Sequence, residues 1–255
     1  MITISILGTG KVAKHLCNGF TAVADVKVVQ IIGRNTKALS AFGNGVHTSS
    51  DFLKIEDADI FVLAVKDDAI AEVSGYLEDK KGLVVHTSGS VSMDTLSNCG
   101  RYGVFYPLQT FSKNRTVDMA TVPICWEARD QADGVLLQKL GGKISEKVHH
   151  VDSEQRRALH LAAVFVNNFT NHLYYIGQQI CREKGLAFEL LLPLIRETVD
   201  KLADLKPQDA QTGPARRGDA GTIEKHLQQL KNSEYKEVYK LLSESIGKLY
   251  GTMYT

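Results

Sequence analysis

Gly8-Thr9-Gly10-Lys11-Val12-Ala13 follows the apolar run Ile2–Leu7 and precedes a helical stretch, and this segment decides the fold. The first glycine permits a tight turn, the second lets backbone N–H groups approach a pyrophosphate, and Ala13 allows the helix to pack closely on the strand. The G-x-G-x-x-A spacing between a strand and a helix therefore predicts a dinucleotide-binding loop. The alternative is a tight strand-to-helix turn on a doubly wound sheet that binds no nucleotide.

The first half of the chain alternates short apolar runs with helical stretches, which is typical of a parallel sheet with helices on both faces. The predicted strands are residues 2–7, 26–32, 60–65, 83–87, 103–106 and 122–127. From Asp152 onward the pattern is helical, and one long helix is predicted over residues 153–184. The sequence thus predicts an α/β fold, with a Rossmann-type doubly wound sheet in residues 1–151 and an all-α substrate and dimerisation domain in residues 152–255.

The charges of the chain are balanced, because 30 Lys and Arg in 255 residues face 29 Asp and Glu. This balance lacks the basic excess of nucleic-acid binders and of proteins that dock on anionic membranes. No apolar run reaches the roughly 18–20 residues needed to cross a bilayer, and residues 1–7 lack the basic start of a signal peptide. Cys17, Cys99, Cys125 and Cys181 are widely spaced, so neither a disulfide framework nor a zinc site is predicted. We expect a cytoplasmic protein that binds no metal, membrane or nucleic acid.

The second predicted strand ends at Gly33-Arg34-Asn35, where an NAD-binding site usually carries an acidic residue for the ribose 2′-OH. A guanidinium beside short polar side chains suits a 2′-phosphate instead, so the sequence favours NADP(H) over NAD. Gly33, Arg34 and Asn35 are therefore predicted to bind this cofactor. The alternative is that Arg34 is a solvent-exposed arginine on a loop.

Three later segments follow predicted strands and should reach the same edge of the sheet. The residues predicted to pass the ribose and nicotinamide are Ala64, Val65, Lys66, Thr87 and Ser88. His86 and Gln109, the latter within the stretch 106–111, are predicted to contact the substrate. The alternatives are that Lys66 faces solvent and that residues 86–90 form a polar turn before the next helix.

The long predicted helix carries a polar stripe within an otherwise apolar segment. At 100° per residue, Asn167 and Asn171 lie within about 20° of His160, and Asn168 lies about 80° away. His160 is predicted to transfer a proton because the ordinary pKa of histidine, about 6.5, suits that work near neutral pH, with Asn168 beside it. Asn167 and Asn171 are predicted to bind substrate. The alternative is a histidine whose hydrogen bonds are satisfied inside a core or an interface.

Two further features of the second half predict binding surfaces. The loop 206–221 concentrates two arginines between glycines and prolines, and Arg217 is predicted to clamp a substrate carboxylate or phosphate. The alternative is a solvent-exposed connector. The apolar stretch 158–169 is predicted to form a homodimer interface through the C-terminal helices, and the alternative is complete burial within one chain.

The chain resembles bacterial Rossmann-like proteins with an uncharacterised helical C-terminal domain, which are commonly labelled NADP oxidoreductases. The resemblance covers essentially the whole chain and rests on the glycine loop, the segments 59–66, 86–89, 106–111, 160–163 and 168–169, and Gly213-Pro214-x-x-Arg217-Gly218-Asp219. More distantly, the chain is similar to pyrroline-5-carboxylate reductase, to the 6-phosphogluconate and β-hydroxyacid dehydrogenases and to deazaflavin-dependent NADP oxidoreductases. The resemblance implies a dinucleotide domain, a helical dimerisation domain and a cleft between them.

The chain departs from the β-hydroxyacid dehydrogenases at one point, because its long helix has no lysine between Ser153 and Arg182. The lysine-dependent proton transfer of that group therefore cannot be carried over. We expect an NADP-dependent oxidoreductase that moves a hydride between the nicotinamide and a small carbonyl, hydroxy-acid or imine compound, with His160 as proton donor and His86 as its competitor. The alternative is a non-catalytic NADP(H)-binding redox sensor or regulatory module.

Overall fold

The computed structural model describes residues 1–42, 45–112 and 115–252, and it divides into two compact units, Met1–Asn167 and Asn168–Thr255. The first unit contains a sheet and the first part of the long helix, and the second unit is helical. The division predicted after residue 151 follows the end of the sheet, and as a domain boundary it stays a prediction. Within the described ranges, no helix combines the length and the apolar character that a membrane span requires.

The first unit is built on an eight-stranded sheet, which confirms the doubly wound prediction. Its strands are β1 (Ile2–Leu7), β2 (Val26–Ile32), β3 (His47–Ser49), β4 (Ile60–Leu63), β5 (Leu83–His86), β6 (Tyr102–Pro107), β7 (Ile124–Ala128) and β8 (Val148–His150). They lie in the order β3-β2-β1-β4-β5-β6-β7-β8. The order reverses between β1 and β4, which is where sheets of this type bind ligands at the carboxyl ends of their strands.

One strand pairing departs from the predicted parallel sheet. β7 runs antiparallel to β6, with Tyr106 opposite Cys125, whereas the other described strand pairs are parallel. A parallel return normally requires an α-helix packed across the sheet. The described residues between β6 and β7 contain one short 3₁₀ turn, Met119–Thr121, and no α-helix, so the chain returns beside β6 in the opposite direction. The sequence prediction also missed β3, because His47-Thr48-Ser49 has no apolar pattern.

Helices cover both faces of the sheet. They are α1 (Lys11–Thr21), α2 (Thr36–Leu39), α3 (Ile70–Ser74), α4 (Gln131–Ile144) and α5 (Ser153–Ala163), with 3₁₀ turns at Asp67–Ala69, Gly75–Leu77 and Met93–Leu96. Successive residues of the central strands alternate between two apolar cores, since Ile60 and Val62 pack in one and Phe61 and Leu63 in the other. Burial on both faces explains why these strands are continuous apolar runs in the sequence.

The start of α5 is defined by a capping box. The Asp152 carboxylate accepts from the Gln155 N–H at 2.8 Å, and the Gln155 side chain accepts from the Asp152 N–H at 3.2 Å. Both groups satisfy backbone donors that the first helical turn leaves unpaired. Within α5, Arg156 and His160 lie one turn apart on the same side because four positions separate them.

The predicted long helix is present, since residues 153–183 are helical throughout, but it is not an α-helix over its whole length. A π-helical segment, Val164–Phe169, separates α5 from α6 (Thr170–Glu183). A π-helix bonds residue i to residue i+5 and has more residues per turn than an α-helix. The spacing of 100° per residue, from which the angles of Asn167, Asn168 and Asn171 relative to His160 were predicted, therefore does not hold across this segment. The predicted polar stripe on one side of the helix is not formed with those angles.

Several large apolar side chains of the stretch 158–169 are exposed. The exposed fractions are 61% for Leu161 and Phe165 and 74% for Val166. The alternative of complete burial within one chain is therefore wrong.

The second unit consists of helices joined by short turns. They are α6, α7 (Leu192–Asp200), α8 (Pro207–Ala210), α9 (Pro214–Arg217), α10 (Ala220–Gln229) and α11 (Ser233–Tyr250), with 3₁₀ turns at Phe188–Leu191 and Lys201–Ala203. The predicted loop 206–221 thus contains two single-turn helices. Asp219 caps α10, because its carboxylate accepts from the Thr222 N–H at 3.0 Å.

Candidate functional site

The carboxyl ends of the central strands open into a cavity of about 960 Å³ in the first unit. A volume of this order is typical of cofactor and ligand sites. The predicted site residues that line it are Gly8, Thr9, Gly10, Lys11, Val12, Gly33, Arg34, Asn35, Ala64, Val65, Lys66, Thr87, Ser88, Gln109 and His160. The structure thus brings together residues that are up to 152 positions apart in the sequence.

Other predicted residues lie elsewhere. Ala13 and His86 are fully buried, and Asn167 is exposed, and none of the three is among the described residues that line the cavity. Burial of Ala13 agrees with its expected part in packing α1 on the sheet. A second group belongs to the second unit, where its side chains are exposed, and the roles of these residues stay predictions: Asn168, Asn171 and Arg217.

The glycine loop is tightly constrained at its first residue. Gly8 has a φ of +132°, and its N–H donates to the Ile32 carbonyl at 2.7 Å. A Cβ at this position would lie 2.2 Å from the carbonyl oxygen of Ala64. Only glycine combines this backbone conformation with so close an approach to β4. The fold therefore requires glycine at position 8, independently of any ligand that the loop binds.

Gly10 has free space at the position of a Cβ, whereas Gly8 has none. It is the N-cap residue of α1, its φ of −76° is accessible to any residue, and it supplies no side-chain cap. Apart from its neighbours along the chain, none of the described atoms lies within 4 Å of a Cβ placed there. The first turn of α1 carries no acidic side chain, so its N–H groups and the helix dipole face the cavity without a carboxylate partner in that turn. This arrangement fits a pyrophosphate, because the space that a side chain would fill is kept free at a helix N-terminus.

Arg34 lies at the edge of the cavity and is partly engaged. Its guanidinium forms an ion pair with Glu72, and its Cζ lies 5.9 Å from the centre of the Phe52 ring. The exposed fractions of the Arg34 and Glu72 side chains are 64% and 56%. Asn35 is occupied locally, since its side chain accepts from the Ala38 N–H at 3.0 Å and caps α2. An exposed pair of this kind is weak, so the guanidinium can be recruited by a phosphate.

The hydrogen bonds of His86 lie within the segment that follows β5, in agreement with the alternative of a polar turn over residues 86–90. The Ser88 N–H donates to its Nδ1 at 3.2 Å, and its Nε2 lies 3.3 Å from the carbonyl oxygen of Ser92. A ring that accepts at one nitrogen and donates at the other is neutral. Burial, assisted by the charge of Arg156, lowers the pKa of His86 from 6.5 to about 4. The neutral ring therefore ties the segment after β5 together from inside the core.

His160 and Tyr106 form a pair on the cavity wall. The Tyr106 hydroxyl and His160 Nδ1 are 3.2 Å apart, and the two rings meet edge-to-face with centres 6.2 Å apart. Burial raises the pKa of Tyr106 to about 12, so the phenol keeps its proton. A Cβ added to Gly89 would lie 2.6 Å from His160 Nδ1 and 2.9 Å from Tyr106 Cζ. Gly89 thus allows the loop after β5 to pass directly against both rings.

Several lining residues were missed as individual site residues. Tyr106 and Gly89 lie within stretches expected to reach this edge of the sheet, but nothing in the sequence indicated that they would meet His160. Phe52 and Asp67 also line the cavity. Phe52 follows the polar strand β3, whose position could not be predicted, and Asp67 looked like an ordinary solvated acid after β4.

Two family models match the chain. The model described as "NADP oxidoreductase coenzyme F420-dependent" matches residues 3–88, and the model described as "Domain of unknown function (DUF2520)" matches residues 122–246. No curated protein matches the chain.

Solved structures resemble the chain over almost its whole length. A Bacteroides fragilis protein described as a "putative NADP oxidoreductase" is 36% identical, with a TM-score of 0.90 over 97% of this chain and 98% of that one. An imine reductase from Myxococcus stipitatus in complex with NADP⁺ is 16% identical, with a TM-score of 0.69 over 98% and 94%. A pyrroline-5-carboxylate reductase from Coxiella burnetii is 19% identical, with a TM-score of 0.59 over 100% and 99%. The first similarity establishes the family, and the other two establish the fold.

Proposed function

We propose that this chain, which belongs to the NADP oxidoreductases that join a Rossmann-type domain to a DUF2520 domain, transfers a hydride between NADP(H) and a small carbonyl, hydroxy-acid or imine compound. The observation that carries the proposal is a single cavity lined by the glycine loop, by Arg34 and by the Tyr106–His160 pair. NADP(H), when bound, supplies the hydride chemistry. The chain must bind and orient this cofactor and must handle the proton that accompanies the hydride.

The cofactor contacts follow from the geometry of the cavity. The N-terminus of α1 and the free space at Gly10 would receive the pyrophosphate. Arg34 would exchange Glu72 for the 2′-phosphate, which carries more charge and accepts a bidentate bond. Lining residues at the ends of β4 and β5 would orient the ribose and nicotinamide: Ala64, Val65, Lys66, Thr87 and Ser88.

His160 is proposed as the proton-transfer group. When the imidazole is protonated at both nitrogens, its Nδ1–H can donate to the Tyr106 hydroxyl oxygen, which leaves the proton on Nε2 for transfer. Reduction of a carbonyl or imine places charge on a heteroatom that needs a proton, and the Nε2–H of the imidazolium would supply it, leaving a neutral imidazole. In the reverse direction the deprotonated Nε2 of this neutral imidazole would accept the proton. Tyr106 thereby holds Nδ1 and leaves Nε2 as the nitrogen that transfers the proton.

The test is a screen of small keto acids and imines with NADPH, and of hydroxy acids with NADP⁺, monitored by NADPH absorbance. With an identified substrate, His160→Gln should lower kcat by about 10²–10⁴-fold and leave NADPH affinity nearly unchanged. His172→Gln, which alters an exposed histidine of α6, is the matched control and should retain full turnover. Tight NADPH binding without turnover in any of the three compound classes would favour the redox-sensor alternative, and full turnover by His160→Gln would remove this role from His160.

The proposed role of Arg34 can be measured without a substrate. A charge-assisted bond to the 2′-phosphate contributes about 1.5–3 kcal/mol, so Arg34→Ala should weaken NADPH binding about 10–100-fold and leave NADH binding almost unchanged. Calorimetry with both nucleotides provides the comparison. Equal affinity of the wild type for NADPH and NADH would contradict the assignment.

The exposed apolar side chains of α5 and the π-helical segment support a proposed homodimer, since a contiguous apolar surface of this kind usually marks an interface. Light scattering at micromolar concentration should give twice the chain mass of 28.1 kDa. Leu161→Glu should lower the measured mass toward that of one chain, whereas Leu53→Glu, at another exposed leucine, should not. A wild-type mass near 28.1 kDa would contradict the dimer.

The cytoplasmic location expected from the unpaired cysteines is part of the same proposal.

A further inference from the structure

Arg156 on α5 has no exposed surface, although its guanidinium carries a permanent charge. Its Nη1 donates to Glu127 Oε2 on β7 at 2.7 Å. Its Nη2 donates to the Val91 carbonyl at 2.6 Å and to Ser153 Oγ at 3.0 Å. A buried charge is tolerated only when it is paired and hydrogen-bonded, so the position of Arg156 depends on these partners.

Ser153 extends the same network in two directions. Its hydroxyl donates to Glu127 Oε2 at 2.7 Å, and its oxygen accepts from the Met93 N–H at 3.1 Å. The network therefore joins β7, the first turn of α5 and the segment that follows β5. Low local polarity strengthens each of these bonds.

The two segments that meet at His160 are both attached to this network. His160 lies one helical turn beyond Arg156 on α5. Gly89 lies two residues before Val91, and it approaches so closely that an added Cβ would be 2.6 Å from His160 Nδ1. A small displacement of α5 from the segment after β5 would therefore change the surroundings of the imidazole before it changed the glycine loop.

We propose that Arg156 is a positioning residue for His160. By holding α5 and the segment after β5 in one register, it keeps His160 Nδ1 within hydrogen-bonding distance of Tyr106. Arg156 does not itself line the cavity. The catalytic meaning of this positioning rests on the proposed function, in which His160 transfers the proton, whereas the positioning itself is a statement about the imidazole and can be tested separately.

The experiment compares Arg156→Met and Arg156→Lys with Arg157→Met, which removes the neighbouring exposed arginine of the same helix. The His160 ring resonances are identified by their loss in His160→Gln, and Tyr106→Phe provides the reference for a ring without its phenol partner. NADPH affinity is measured by calorimetry on the same samples. A role limited to fold stability would lower the melting temperature without moving the His160 resonances of the folded protein.

In folded Arg156→Met, the His160 resonances should move toward those of Tyr106→Phe while the Kd for NADPH changes less than about threefold. Arg156→Lys should lie between the wild type and Arg156→Met, and Arg157→Met should match the wild type. With a substrate in hand, Arg156→Met should lower kcat about 10–100-fold at an unchanged KM for NADPH, because a displacement of the order of 1 Å costs rates of this size.

Unchanged His160 resonances in a folded Arg156→Met variant would overturn the proposal. If that variant does not fold, Ser153→Ala replaces it, because it keeps the guanidinium and removes the hydroxyl that connects Arg156, Glu127 and Met93; unchanged resonances there would overturn the proposal equally. Full activity of His160→Gln would instead contradict the proposed proton transfer. The positioning of His160 by Arg156 would still be decided by the NMR resonances alone.

Discussion

The glycine loop and the His160 corner, by which we mean Gly89, Tyr106 and His160, line the same cavity but are built in different ways. The glycine loop is six consecutive residues whose geometry follows from a strand, a turn and a helix in immediate succession. In the corner, the hydrogen-bonded Tyr106 and His160 are 54 residues apart, and a third segment passes directly against both rings at Gly89. The loop depends on local backbone conformation, and the corner depends on how distant segments pack.

The largest expected effect is a loss of stability caused by a substitution in the glycine loop. Gly8→Ala imposes a side chain on a φ of +132° and places a Cβ 2.2 Å from the Ala64 carbonyl oxygen. We expect a loss of more than about 3 kcal/mol in the free energy of unfolding, measured in urea, because backbone strain and overlap with β4 add. Gly10→Ala is the matched control, with an expected cost below about 1 kcal/mol and a loss of NADPH affinity of about tenfold or more. Equal stability of the two variants would show that the loop is not constrained as described.

The next prediction concerns the buried imidazole ring of His86, which lies three residues before Gly89 in the chain. The pKa of His86 falls from 6.5 to about 4 on folding, so the unfolded chain binds the proton first as the pH decreases. The contribution of the neutral ring is complete above pH 6.5 and is lost as the pH falls from 6.5 toward 4, by up to about 3 kcal/mol. Urea unfolding between pH 4 and 7.5 should show this slope, and His86→Asn should flatten it. An identical slope in the variant would assign the pH dependence to other groups.

A smaller effect tests the packing of the corner itself. Gly89→Ala places a Cβ against two side chains that can move, so we expect a loss of about 1–2 kcal/mol of stability rather than failure to fold. NADPH affinity should be retained, while the His160 resonances should shift. Gly100→Ala, where none of the described atoms lies within 4 Å of the added Cβ, is the control. A variant that matched the control in both stability and resonances would mean that the three residues are not packed together in solution.

The smallest expected effect lies at the cofactor side of the cavity. Glu72→Gln removes the exposed ion-pair partner of Arg34, and such pairs contribute about 0.2–1 kcal/mol. NADPH affinity should rise by less than about fivefold, measured by calorimetry at low ionic strength. A decrease of tenfold would instead show that Glu72 contacts the cofactor directly.

The same contrast explains what could be predicted from the sequence. The glycine loop and strands such as β1 and β2 are specified by consecutive residues, so their place and type follow from spacing and apolar pattern. The lining segments at the ends of β4 and β5 follow from topology, because parallel strands present their carboxyl ends at one edge.

The remainder depends on contacts that a single sequence does not contain. The π-helical segment Val164–Phe169 interrupts a stretch whose composition suits an ordinary α-helix, so the stripe built from Asn167 and Asn171 could not be placed correctly. Whether His86 faced the cavity or the core depended on which side of β5 it lay, and alternation alone leaves both faces buried in such a sheet. The contact of Tyr106 with His160 required the distance between β6 and α5, which only the fold supplies.

The two edges of the sheet have a consequence for how copies of this chain can meet. The outermost strands, β3 and β8, are three residues each and carry His47, His149 and His150 with exposed surfaces. A longer, flatter edge would present a row of unpaired amides and carbonyls that a neighbouring chain could extend into a continuous sheet. Here the two described edge strands present so few backbone groups that edge-to-edge growth into a fibrous aggregate is disfavoured.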